Sequence, residues 1–216
     1  MDNRSKILET AARLFSRQGF SGVSLQTIAE DVGITKPSLL YHFPSKETLR
    51  EQVLSELFGH WATRIPNLLR AVTTGEGQFE ALMDELTAFF REDPDRARIL
   101  IREILDRPEA MRASIAASLG PIVTLVADSM RKGQRSGLLR ENVDPEAYVL
   151  NAIGSAMAWV VAASVVEPIV TGGGKSALSR LERELRRAAH SSLFSDPEAG
   201  VERRPSSGRA RPNAER

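Results

Sequence analysis

Residues 24–46 read SLQTIAEDVGITKPSLLYHFPSK, and their punctuation decides the fold. Ser24 is a good N-cap, and Leu25, Ile28, Ala29 and Val32 then recur at helical spacing. Gly33 closes that helix, because glycine enters left-handed backbone without a steric penalty. A second short helix begins near Thr35 or Lys36, with Pro37 in its first turn where a missing N–H costs nothing, and must stop before Pro44. Two helices around a turn of about four residues form a helix-turn-helix, whose second helix is shaped for the DNA major groove. Ala29 lets the two helices cross closely. Val32, Ile34, Leu39 and Leu40 face inward, which leaves Thr35, Lys36, Ser38, Tyr41 and His42 outward as donors for phosphates and base edges.

The surrounding residues sharpen this. AARLFSRQGF, then VSLQTIAEDVGITKPSLLYHFPSKETL, within Ile7 to Arg50, resembles the DNA-binding domain of TetR-family transcriptional regulators. The elements that carry the resemblance are the Gly-Phe after the first helix, the Ile-Ala-x-x-x-Gly turn, and Leu-Tyr-His-Phe followed by a short turn and Lys-Glu-x-Leu. It implies an N-terminal reading head followed by a divergent helical domain for ligand binding and dimerisation. By physics and family pattern together, Thr35 and Lys36 sit at the start of the recognition helix, where the helix dipole favours phosphate, and Lys36 is long enough to reach a guanine edge. Ser38 is the next outward position. Tyr41 and His42 resemble family positions that hold backbone phosphates, and Lys46 pairs a cation with another. Ser24 and Thr27, with Arg4 or Lys6 on the leading arm, are further phosphate candidates.

Outward from this segment the chain reads as all-α, about nine helices, since apolar spacings of three and four recur and no stretch alternates as a strand does. Ile7, Leu8, Ala11, Leu14 and Phe15 mark a first helix that stops at Gly19, and Ser45 caps a long fourth helix that Pro66 is expected to end. Further helices fit 77–91 and 95–106. Pro108 opens a long one to Arg135 that Gly120-Pro121 should kink or split, and Asp144-Pro145 caps another. Gly172-Gly173-Gly174 reads as a joint before a last helix with Leu178, Leu181 and Leu185. The expected domains are a head over 1–48, a body over 49–195 and a disordered tail over 196–216, where three prolines and few apolar residues leave nothing to pack.

The 216 residues carry 29 basic and 28 acidic side chains, a net charge of +1 that argues against a protein coated in positive charge. Neutrality is unevenly distributed, however: residues 1–50 hold seven basic against five acidic groups, a small basic head. Cysteine is absent, which excludes disulfides, thiolate nucleophiles and Cys-based metal sites. His42, His60 and His190 fall in separate helices without metal-ligand spacing, so no metal, cofactor or catalytic residue is expected. Gly-Gly-Gly-Lys-Ser at 172–176 resembles the end of a P-loop, but the first glycine that motif needs is missing from Ile169-Val170-Thr171 ahead of it.

Residues 147–166 pass without a charge, about the length of a bilayer span. Six alanines and the polar Asn151, Ser155 and Ser164 favour a helix buried among other helices, and the N-terminus lacks a secretion signal, so a bacterial cytoplasmic protein with no membrane partner is expected. Tyr148, Ala152, Ser155, Ala156 and Trp159 on this helix, with Leu178, Leu181 and Leu185, are expected to form a homodimer interface, as a small head needs two half-sites of a palindromic operator. His60, Trp61, Arg64, Arg102, Glu103 and Asp106 are candidates to orient an unknown small-molecule effector in the body.

Overall fold

The computed structural model describes residues 2–170 and 175–194. Ten α-helices and one 3₁₀ turn are present among them. The triple-glycine segment with its lysine and serine, and the tail over 196–216, lie outside the residues whose structure or side chains are described.

α1 (Asn3–Gly22), α2 (Leu25–Val32) and α3 (Lys36–His42) form the head. α1 breaks at Gly19, which takes φ 75° and ψ 162°. The head closes on Ile7, Ala11, Phe15, Ile28, Ala29 and Leu39, each at most 1% exposed. α4 (Lys46–Ala71) crosses the expected boundary between residues 48 and 49 without interruption. Pro66 does not end it, contrary to the sequence expectation. A proline inside a helix removes one backbone hydrogen bond, and here Leu68 and Leu69 pack on the core and hold the following turn.

The body comprises the rest of α4 with α5 (Gly75–Glu92), α6 (Pro94–Asp106), α7 (Pro108–Ser118), α8 (Gly120–Arg135), α9 (Pro145–Val166) and α10 (Lys175–Leu193). The long helix expected over 108–135 is split as its Gly-Pro pair requires: α7 and α8 meet at 50°. α9 is long and apolar enough to cross a membrane by length and composition alone. In this fold it packs against α5, α6, α8 and α10. Its inward side holds Ala156 and Val160, while Leu150, Trp159 and Val165 remain exposed.

Candidate nucleic-acid interface and ligand cavity

Three side-chain caps build the reading head. Ser24 Oγ accepts from the Thr27 N–H at 3.0 Å, Thr35 Oγ1 from the Ser38 N–H at 3.3 Å, and Ser45 Oγ from the Thr48 N–H at 3.0 Å. Each satisfies a donor that the first turn leaves open. Gly33 adopts φ 81° and ψ 32°, and the turn closes as Ile34 N–H donates to the Ala29 carbonyl at 2.9 Å. Leu39 is completely buried beneath α3, so one face of this seven-residue helix is anchored and the opposite face is presented.

On that presented face Thr35 and Lys36 are exposed, Ser38 and His42 are half-buried, and Tyr41 is 86% exposed. The tyrosine is thus not a packing residue of the head; its ring meets the His42 ring edge-on, with centroids 5.4 Å apart. Lys36 makes no ion pair among the described residues. Thr35 and Ser24 are engaged as caps through their oxygens, and Ser24 also shares a hydrogen bond with the Thr27 hydroxyl at 2.8 Å. Arg4 is turned back onto the protein, 3.6 Å from Glu56 and over the Phe43 ring.

Lys46 occupies an unexpected setting. Its Nζ lies 4.2 Å from the centre of the Phe20 ring, and the Arg107 and Arg50 guanidiniums approach the same ring at 4.6 and 5.8 Å. Partial burial lowers the Lys46 pKa below the ordinary lysine value, with Glu47 opposing and Arg107 reinforcing the effect. Phe20 is half-buried where α1, α4 and the α6–α7 corner meet, and no sequence pattern assigned these cations to it. Below them Arg50 Nε donates to Glu103 Oε2 at 2.6 Å, with both residues buried.

The six ligand candidates of the sequence reading do not form one set. Trp61 lines a cavity of about 960 Å³ in the body. His60 and Arg64 instead converge on Glu85, at 2.5 Å for His60 Nε2 and 3.0 Å for Arg64 Nη2, and join α4 to α5. Burial alone would raise the Glu85 pKa, but hydrogen bonds from His60 and Arg64 outweigh it and the carboxyl is held below its usual value. Glu103 is the buried partner of Arg50, and Arg102 Nη2 donates to the Arg17 carbonyl at 3.2 Å. Asp106 lies close to Gly19 beside Arg102. These three belong to the junction between α6 and the head, because the last turns of α6 face α1 rather than the cavity.

The cavity lies between α4, α5, α8 and α9. Ile65, Leu69, Phe79, Met83, Val126 and Ile153 are among its many apolar walls. Tyr148 and Ala152, expected at a dimer interface, face this cavity, and Ala156 is buried in the same inward direction. Tyr148 donates its hydroxyl to the Ala189 carbonyl at 2.8 Å, and burial pushes its pKa up to about 12, with Ser192 moderating the rise. Leu178, Leu181 and Leu185 are half-buried, Leu185 against the core of its own chain, and Ser155 is half-buried; of the expected set Trp159 is the exposed one, at 38%.

A capped helix-turn-helix with an anchored inner face and polar outer face, on a helical body, defines a DNA-binding regulator by architecture. Comparison with known proteins gives the family. Residues 7–53 match the model of bacterial regulatory proteins, tetR family. The biofilm operon icaADBC HTH-type negative transcriptional regulator IcaR of Staphylococcus epidermidis is 30% identical over 129 residues, covering 60% of this chain and 68% of IcaR. The HTH-type transcriptional regulator LmrA of Bacillus subtilis is 37% identical over 90 residues, which span 41% of this chain and 48% of LmrA. Among solved structures, the ketosteroid transcriptional regulator KstR2 of Mycobacterium tuberculosis superposes with a TM-score of 0.71 at 17% identity, covering 90% of this chain and 96% of that one. The fatty acid degradation regulator FadR of Bacillus halodurans does so with 0.72 at 16%, covering 88% and 95%. The chain belongs to the tetR family of bacterial regulatory proteins and is a DNA-binding transcriptional regulator.

Proposed function

We propose that the chain acts in the bacterial cytoplasm as a homodimeric repressor that holds a palindromic operator and is released from it by a small molecule bound in the body cavity. The observation that carries the reading is the outer face of α3, where Lys36, Ser38, Tyr41 and His42 are presented by a helix whose opposite side is sealed by Leu39. Lys36 and Ser38 are the base-reading candidates. Tyr41, His42, Lys46, Thr35, Ser24 and Thr27 are the phosphate-contacting ones. Repression is supported by the name of the IcaR relative, a negative regulator. Dimerisation is supported by α9, where the Leu150, Trp159 and Val165 side chains stay exposed on a single chain.

Two heads on one face of DNA must stand about 34–36 Å apart to read successive major grooves. A ligand that binds better to a dimer with another spacing shifts the population toward it, and only its differential affinity does so. Selection of bound duplexes from random DNA tests the reading: recovery of a palindrome with half-sites about one turn apart is expected, and recovery of unrelated or non-palindromic sequences would remove it. Addition of effector to the selected complex then separates release from the alternative of activation or ligand-enhanced repression.

A further inference from the structure

The cavity wall discriminates ligands by two features. Inside, its polar side chains are already engaged: Gln78 Nε2 donates to the Leu69 and Val72 carbonyls at 3.1 and 2.8 Å, and its Oε1 accepts from Ser129 Oγ at 3.0 Å. The Tyr148 hydroxyl is committed to the Ala189 carbonyl; the exception is the Trp61 N–H, buried without a hydrogen-bond partner. Of these groups one donor, the Trp61 N–H, is open to the buried part of a ligand, and a charged or strongly polar segment placed there would go largely unpaired. From Trp61 to Arg70, nine residues along one wall, the cavity runs about 13 Å.

The exposed part of the wall is different. Arg70, Lys132 and Arg135 are exposed wall residues, with Asp128 the one exposed acid among the lining groups. Asp128 is already paired with Arg131 at 2.9 Å. Lys132 and Arg135, three residues apart in the last turns of α8, have no acidic partner among the described residues. A hydrocarbon interior that ends at unpaired cations is complementary to one shape of molecule.

We infer that the cavity takes a single-chain amphiphile whose hydrocarbon body fills the interior and whose anionic head, a carboxylate or a phosphate, rests against Lys132 and Arg135. This rests on the proposal that the cavity is the effector site, and adds the chemical class of the effector.

Calorimetric titration of the full chain with dodecanoate, dodecyl phosphate, dodecanol and dodecyltrimethylammonium, all below their micellar concentrations, tests it. Both anions should bind, about tenfold more tightly than the alcohol, and the cation should bind least. The Lys132→Gln/Arg135→Gln variant, altered only at exposed positions, should lose that tenfold advantage and keep its affinity for dodecanol. Equal affinity for anion and cation, an undiminished preference in the double variant, or no binding by any of the four would overturn the inference. Operator binding is read in parallel: anions that bind as described but leave operator affinity unchanged would refute the effector role while the ligand class stands. Release by a non-amphiphilic compound, with no amphiphile bound, would refute the class while the effector role stands.

Discussion

Arg50 in the second turn of α4 and Glu103 in the last turn of α6 meet at 2.6 Å with their side chains about 5% and 4% exposed. This buried pair ties α4, which continues from the reading head, to α6 at the point where Arg102 also holds the end of α1. One nitrogen of the guanidinium, Nη2, is buried without a partner, so the pair is not fully compensated. Glu103→Ala should leave Arg50 buried and unpaired, at a cost of about 3–5 kcal/mol, whereas Arg50→Met/Glu103→Leu should recover most of it. Urea denaturation of the three chains checks this. A single variant as stable as the parent would show that the pair contributes nothing.

The Glu85 cluster predicts a pH dependence. Glu85 is held below its ordinary value of 4.5, so its hydrogen bonds with His60 and Arg64 stabilise the fold above that value, and the contribution is lost as pH falls through the lower folded-state pKa. Glu85→Gln should be less stable than the parent at pH 7. The difference should shrink toward zero below pH 4 to 5, as followed by thermal denaturation across pH. A gap that persists undiminished in acid would assign the loss to packing.

Tyr148 predicts the opposite limb. Its hydroxyl is raised from 10.0 to about 12 by burial, so its contribution is complete below pH 10 and falls away as pH rises through 12. Tyr148→Phe should cost about 1 kcal/mol near neutrality through the lost bond to the Ala189 carbonyl. It should also flatten the alkaline decline. Spectrophotometric titration of the phenol in the parent, against this variant, measures the shift directly.

At Gly33 the space and the backbone disagree. An added Cβ would meet nothing within 4 Å, yet φ is +81°. Gly33→Ala should therefore destabilise the head by about 1–2 kcal/mol through conformation alone, and Gly33→Asn by less, since asparagine tolerates left-handed backbone. Matching denaturation midpoints for alanine and asparagine would contradict this.

Local signals carried the head. Ser24, Gly33, Thr35, Pro37 and Ser45 each fix a helix end through chemistry within three residues, and all five act in the structure as their types require. Partnering across the chain was not legible. Leu178, Leu181 and Leu185 announce an apolar seam, but the same spacing serves a neighbouring helix or a second subunit, and Leu185 packs on the chain's own core. Glu103 and Arg102 carry the charge of a ligand site and are occupied by residues 53 and 85 positions away. Pro66 is a helix breaker by propensity that tertiary packing overrules.

The account rests on the outer face of α3 reading bases, and the affinity ratio between the selected operator and an unrelated duplex tests it most directly. Lys36→Ala/Ser38→Ala should lower that ratio about tenfold or more, with the melting temperature unchanged because neither side chain is part of the core. Tyr41→Ala/Lys46→Ala should weaken both duplexes alike and flatten the salt dependence. A ratio that the Lys36→Ala/Ser38→Ala chain preserves at every salt concentration would contradict the assignment of α3 as the reading helix.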